Sequence, residues 1–267
     1  MVMREGKLFG RVLFIAVACS LLAALAYALL MPDLAKLRKE NPGTTSFMKY
    51  REREREKKGK TYRITQVWVP LARVSPYLIK AVLIAEDDKF WKHEGFDYEA
   101  IQKALDRDIR AKKFRLGGST ISQQLAKNLY LSPAKNPVRK IAEAVITRRM
   151  EKVLSKKRIL ELYLNVIEWG DGVFGAEAAA RHYFGKSASD LTAEEAARLA
   201  AVLPNPRKYN PAGEQRYVVN RSNLIYSIMV KRGIVIPEYR EVAGEGNPAE
   251  TGSDATVVPI EKLRPAD

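Results

Sequence analysis

The sequence predicts a mainly α-helical domain held behind a single N-terminal membrane helix. Three observations predict it. A 20-residue run without a charge lies close to the N-terminus. From about residue 75 onward, apolar side chains recur at helical spacing almost throughout. One cysteine and two histidines in 267 residues leave neither an internal disulfide framework nor a Cys-based zinc cluster as the organising element. The length accommodates one domain of roughly 170–200 residues plus attachments. With 46% hydrophobic and 29% charged residues, the chain is not a disordered polyelectrolyte. Its 46 Lys and Arg exceed its 31 Asp and Glu by 15. That excess points to an anionic partner: nucleic acid, a membrane surface or a phosphorylated substrate.

Residues 12–31 read VLFIAVACSLLAALAYALLM. At about 1.5 Å per residue this run matches the hydrocarbon thickness of a bilayer. A cleaved signal peptide is the competing reading, but its apolar core is usually about 7–15 residues, and here Pro32-Asp33 follows directly. The run therefore reads as an uncleaved signal-anchor, with Cys19 packed inside it. Arg4, Lys7 and Arg11 precede it and Lys36, Arg38 and Lys39 follow, so the positive-inside count is nearly balanced. A short N-terminal side and a long C-terminal side place residues 1–11 in the cytoplasm and the domain outside the plasma (inner) membrane, in the periplasm or beyond. Residues 32–65 read as a stalk, with Asn41-Pro42-Gly43 and the charge run REREREKKGK from Arg51. Within residues 61–72, alternation suggests a short extended segment. The domain is expected over residues 66–235, and a mobile tail over 236–267.

Ser75-Pro76 is a helix start: a capping hydroxyl, then proline at the first helical position. Ile79, Val82 and Leu83 form an apolar stripe whose next position is Glu86. Burial disfavours the charged form of a carboxylate and raises its pKa, as a general base or acid near neutrality requires. The bland alternative is that Glu86 pairs with a nearby cation or ends the helix exposed. In EDDKFWKHEG (86–95), Phe90 and Trp91 are anchors, Gly95 is a turn, and His93 orients the loop. Residues 96–116 carry Ile101, Leu105 and Ile109 among Arg107, Arg110, Lys112, Lys113 and Arg115. This is a basic amphipathic helix suited to lipid phosphates, or equally a solvated basic face.

GGSTISQQLAKN (117–128) opens with two glycines, and Ser119 or Thr120 can cap the helix that follows. Thr120, Gln124 and Lys127 share a face at i, i+4, i+7 and put a hydroxyl, an amide and a cation together. Such a stripe suits a pyrophosphate and a sugar; the Walker spacing is absent. After the loop from Pro133 to Pro137, Val138, Ile141, Ala142 and Val145 are the expected apolar face of a long helix. Arg139 and Lys140 stand one turn before Glu143, either as an ordinary surface pair or as a carboxylate fixed by phosphate-binding cations. ILELYLN (159–165) reads as core. Four glycines surround an alanine-rich helix in 170–186, and Thr192 with Glu195 caps a second one that ends at Pro204-Asn205-Pro206.

With these runs in hand, the chain resembles the peptidoglycan glycosyltransferases of glycosyltransferase family 51, in their monofunctional, membrane-anchored form. The likeness covers about residues 66–230 and rests on EDDKFWKHEG, GGSTISQQLAKN, RKIAE (139–143), KRILELYLN (157–165) and GAEAAARHYFGK (175–186), in the family's order. The resemblance implies a lysozyme-like helical domain without a transpeptidase. It implies lipid II as donor and acceptor, undecaprenyl pyrophosphate as leaving group, and inverting transfer to the GlcNAc 4-hydroxyl. It implies Glu86 as general base and Glu143 as a second carboxylate that serves positioning or a metal. Lys127, Arg139 and Lys140 match cations for the diphosphate. Ser119, Thr120, Gln124 and Asn128 match substrate-contacting or neighbouring positions. Some members use a divalent ion such as Mg²⁺, and no organic cofactor is expected. Expected partners are lipid II, the nascent glycan strand, membrane lipids and other cell-wall synthesis proteins, and no nucleic acid.

Two other classes compete. A lytic enzyme acting on the same glycan would also use a helical cleft and one glutamate. A non-catalytic membrane scaffold, or a basic nucleic-acid binder, would not need Glu86 and Glu143 charged; the membrane run and the lack of a recognition motif oppose the nucleic-acid reading.

Overall fold

The computed structural model describes residues 32–59, 61, 63–111, 118–133 and 136–235, together with Phe14 and Val17. The expected tail (236–267), Gly117, Lys112, Lys113 and Arg115 lie outside the described residues, as does all of the 12–31 run but Phe14 and Val17. No helix among the described residues is long and apolar enough to cross a membrane.

The described chain is mainly helical, as expected. Its helices are α1 (Ser46–Glu56), α2 (Pro76–Glu86), α3 (Tyr98–Ala111), α4 (Ile121–Tyr130), α5 (Pro137–Val153), α6 (Lys156–Val166), α7 (Ala176–Phe184), α8 (Ala193–Val202) and α9 (Arg216–Lys231). Three short strands, β1 (Thr65–Gln66), β2 (Glu168–Gly170) and β3 (Val173–Phe174), form a small sheet in the order β1-β3-β2. β1 runs parallel to β3, with Thr65 opposite Val173, and β2 is antiparallel to β3 with an irregularity between Glu168 and Gly170.

Capping explains where the helices begin. Ser75, Thr120, Asn136, Ser155 and Thr192 each accept a hydrogen bond from a backbone N–H in the first turn of the helix that follows. Such a cap contributes about 1 kcal/mol by satisfying an otherwise orphaned donor. α2 is central: Leu78, Ala81 and Val82 are buried, and the helix packs on α8 and α9. The alanines of α8 (Ala193, Ala196, Ala197, Ala200, Ala201) are all buried, and their small side chains let helix backbones approach closely. α4 packs on α5 and α6, so the second half of the core is built on Ile121, Leu125 and Leu160.

The segment expected as a stalk packs onto this body. Leu34, Leu37 and Met48 are buried. Arg158 donates to the Leu37 carbonyl at 2.7 Å and to the Glu40 carbonyl at 2.8 Å, and Arg38 donates to the Val153 carbonyl at 2.8 Å. The charge run is helical as far as Glu56, and one face of that helix meets the body. Arg51 pairs with Glu168 at 2.7 Å, Arg55 with Asp171, and Glu54 with Arg207 at 3.0 Å.

α5 corrects the expected apolar face. Val138 is 75% and Ile141 66% exposed, whereas Glu143, Ile146, Thr147 and Met150 are buried. These four stand at i, i+3, i+4, i+7 and make a true core stripe, roughly half a turn from the expected one. The stripe was disguised because two of its members are polar. Their polarity is satisfied locally: the Thr147 hydroxyl donates to the Glu143 carbonyl at 2.7 Å, and the Glu143 carboxylate is paired with Arg139 and Lys140. α3 turns Tyr98, Ile101 and Leu105 outward and buries Ala104.

Candidate active site

Glu86 is the last residue of α2, and its side chain is 13% exposed. Gln124, on α4, donates its amide N–H to Glu86 Oε2 at 2.8 Å. The fully buried Tyr163, on α6, donates its hydroxyl to Gln124 Oε1 at 3.0 Å. That second bond occupies the amide oxygen and fixes which end of Gln124 faces the carboxylate. On the other side, an Arg221 guanidinium nitrogen stands 3.9 Å from Glu86 Oε1 and donates to the Ala85 carbonyl at 3.3 Å. Burial pushes the Glu86 pKa above the ordinary carboxylate value; Gln124, Arg221 and Lys127 pull against it. The result is a carboxyl group that ionises later than a surface glutamate yet has partners for its charged form.

The next residue, Asp87, is buried and ties the loop to α4. Its Oδ2 accepts from the Ile121 N–H at 2.9 Å, and its Oδ1 is 2.9 Å from His93 Nε2. Gly95 N–H donates to His93 Nδ1 at 3.1 Å, so the tautomer that carries its proton on Nε2 donates to Asp87. Thr120 completes the tie by donating its hydroxyl to the Gly95 carbonyl at 2.7 Å. Gly95 sits at φ 92°, and a Cβ there would meet Thr147 Cγ2 at 2.9 Å. Gly95→Ala is therefore expected to cost about 1–3 kcal/mol, read as a lowered Tm. Because the same turn holds His93 and Thr120, activity should fall further than the lost folded fraction accounts for.

Beyond Gln124 on α4 stands Lys127, half-buried. Burial lowers its pKa, and Glu143 opposes the shift. Glu143 is 2% exposed; Arg139 donates to its Oε2 at 2.6 Å, and Lys140 holds its Oε1. Lys140 also reaches the exposed Ser119 hydroxyl at 3.3 Å. The site is thus a row: Arg221, Glu86, Gln124, Lys127, then Glu143 with its two cations. A cleft of about 630 Å³ opens at its Arg221 and Glu86 end, lined by Glu86, Asp88, Ser119, Thr120, Gln124, Pro204 and Arg221 among others.

The structure thus brings together Glu86, Gln124, Lys127, Arg139, Lys140, Glu143 and Ser119. It places Thr120 as the buried cap of α4 and Asn128 as a buried side chain that donates to the Gln124 carbonyl at 2.8 Å. Both support the helix that carries Gln124 and Lys127. Arg221 was missed, although a signal existed: it sits between Val218, Ser222 and Ile225, which are all buried, so it is a charge on a core stripe just as Glu86 is. Tyr163 lay inside an apolar run and gave no such signal.

A divalent ion at Glu143 does not fit this arrangement. Both carboxylate oxygens are engaged by cations, and no group of three or more His, Cys, Asp or Glu side chains able to hold a metal occurs among the described residues.

What the row can do is chemically specific. A shielded carboxylate can accept a proton from a hydroxyl, while the cation cluster coupled to it through Lys127 can stabilise departing negative charge. The chain is also similar to known proteins. A transglycosylase family model matches residues 54–230. A biosynthetic peptidoglycan transglycosylase of Nitrosospira multiformis is 52% identical over 195 residues, covering 73% of this chain and 84% of that one. Its namesake in Dechloromonas aromatica is 56% identical over 170 residues, covering 64% and 74%. A third, from an Azoarcus species, is 53% identical over 195 residues, covering 71% and 84%. With the family model spanning most of the chain and relatives this similar, the chain belongs to the transglycosylase family.

Proposed function

We propose that this protein polymerises peptidoglycan glycan strands from lipid II at the cell envelope, anchored in the plasma membrane through residues 12–31 with its catalytic domain outside. Its substrates are lipid II and the growing strand. Glu86 takes the proton from the GlcNAc 4-hydroxyl as that oxygen attacks the anomeric carbon of the donor. The C–O bond to undecaprenyl pyrophosphate breaks in the same displacement, which converts an α link into a β1→4 link. One base and no covalent intermediate suffice, by the logic of inverting glycosidases with a sugar hydroxyl in place of water. Lys127, Arg139 and Lys140 stabilise the diphosphate as its charge grows, and Glu143 holds the latter two in place.

One observation carries this reading: a shielded carboxyl group, oriented by Gln124 and Tyr163, shares a short row with three cations. Preorganised cations in a partly dry cleft contribute several kcal/mol to a developing anion. The test is purified full-length protein with labelled lipid II, read as glycan polymer. A parallel incubation with finished strands separates the lytic alternative, which shortens them. Failure to consume lipid II, with shortening of strands, overturns the proposal.

Lys140→Ala is expected to lower polymerisation much more than Lys58→Ala. Lys140 is 46% exposed at its side chain and reaches Ser119, which lines the cleft; Lys58 pairs with Glu54 on α1. The Lys58 pair is solvated and worth under about 1 kcal/mol, and without Lys140 the Glu143 carboxylate is still paired with Arg139, so Tm should move little in either. Equal rate losses would remove Lys140 from the diphosphate site.

A further inference from the structure

We propose that Tyr209 and Tyr217 form a stacking platform for the sugar rings of the acceptor, beside the cleft on the Arg221 side of Glu86. The inference rests on the polymerase reading and adds to it a saccharide contact outside the cation row.

The two rings lie 4.1 Å apart between centroids and 14° from parallel. Tyr217 is 36% exposed, so the stack is not a core contact. Lys208 lies over the Tyr209 ring, 5.3 Å from its centroid. The loop that presents Tyr209 is braced rather than slack. Arg198, on α8, donates to the carbonyls of Pro211 (2.6 Å) and Gly213 and reaches Glu214 at 3.0 Å. Asn210 N–H donates to Gln215 Oε1 at 2.9 Å, and Ala212 N–H donates to Asn210 Oδ1 at 2.9 Å. A rigid aromatic face loses little entropy when a ligand lands on it.

Position ties the platform to the site. Tyr217 and Arg221 are i, i+4 neighbours on α9 and share its face. Arg221 and Pro204 both line the cleft at Glu86, and Pro204 opens the loop that leads to Tyr209. In a single displacement the attacking hydroxyl enters opposite the leaving group. The cations that receive the diphosphate lie on the Lys127 side of Glu86, so the acceptor enters from the Arg221 side, where the stack stands. One face of a β-linked pyranose presents electropositive C–H hydrogens, the complement of an aromatic ring's negative face.

The experiment compares wild type with Tyr217→Leu, which removes the ring, and Tyr217→Phe, which keeps it. Polymerisation is followed over a range of lipid II concentrations. Saturation-transfer NMR reads binding of the lipid-free disaccharide GlcNAc-β1,4-MurNAc to the same full-length protein. Tyr217→Leu should raise the lipid II KM about three- to ten-fold, leave kcat within about two-fold, and weaken saturation of the disaccharide; Tyr217→Phe should resemble wild type. An unchanged KM and unchanged saturation in Tyr217→Leu overturn the platform, as does a fall in kcat and Tm with KM constant, which marks a structural brace. A wild-type protein that binds the disaccharide but consumes no lipid II overturns the polymerase reading instead.

Discussion

Glu86→Gln is expected to abolish glycan polymerisation while leaving the protein folded and lipid II still bound. A positioned base contributes about 10²–10⁴-fold, and glutamine accepts no proton at neutral pH. The substitution is nearly isosteric, and the new amide oxygen can still accept from Gln124. Stability should not fall. The Glu86 pKa is raised in the folded state, so folding favours its protonated form. Its contribution to stability is greatest below the ordinary glutamate pKa and is lost as pH rises through the raised one. At neutral pH the ionised side chain therefore costs stability, and the uncharged glutamine should give a Tm equal to or above wild type. The same shift sets the pH profile of the wild-type enzyme: kcat/KM should rise with pH through an ionisation higher than that of a surface glutamate. Near wild-type polymer yield from purified Glu86→Gln overturns the assignment of the base.

Most of this site was legible because chemistry there breaks local rules. Glu86 stands out as a carboxylate on the stripe of Val82 and Leu83, and the close spacing of Arg139, Lys140 and Glu143 was visible without coordinates. The helical class and the caps at Ser75, Thr120 and Thr192 follow from local propensity, which the sequence states directly. The contacts that cross the fold were not legible. Nothing near Tyr163 indicates that its hydroxyl orients Gln124, 39 positions away. Arg221 lies 135 positions from Glu86 in the chain and meets it only because α9 packs on α2. α5 was misread for a related reason. Val138 and Ile141 look like core, but the helix turns its Glu143 stripe inward because Arg139 and Lys140 neutralise that carboxylate. Periodicity scores apolar residues and does not see a charge that its neighbours have satisfied.

That arrangement makes Glu143→Gln the second large effect. The substitution keeps the shape but removes the negative charge that pairs with Arg139 and Lys140 and holds up the Lys127 pKa. Breaking a buried ion pair on one side costs about 3–5 kcal/mol. Here Lys140 can turn into water, being 46% exposed, so about 3 kcal/mol is the expected loss, seen as a clear drop in Tm. The catalytic effect has a distinct signature. Burial already lowers the Lys127 pKa, and Glu143 is the strongest influence holding it up. Without Glu143, Lys127 loses its proton at a lower pH, and the diphosphate loses a cation. The basic limb of the polymerisation profile should move towards neutrality, and the rate under mildly alkaline conditions should fall about 10²-fold, as when one preorganised charge donor is removed. Lys127→Arg in the same background keeps its charge at any working pH and should move the basic limb back without restoring Tm. A basic limb that stays in place in Glu143→Gln would mean that Lys127 is not the cation Glu143 sustains. The carboxylate would then serve the fold of α5 and not the departing diphosphate.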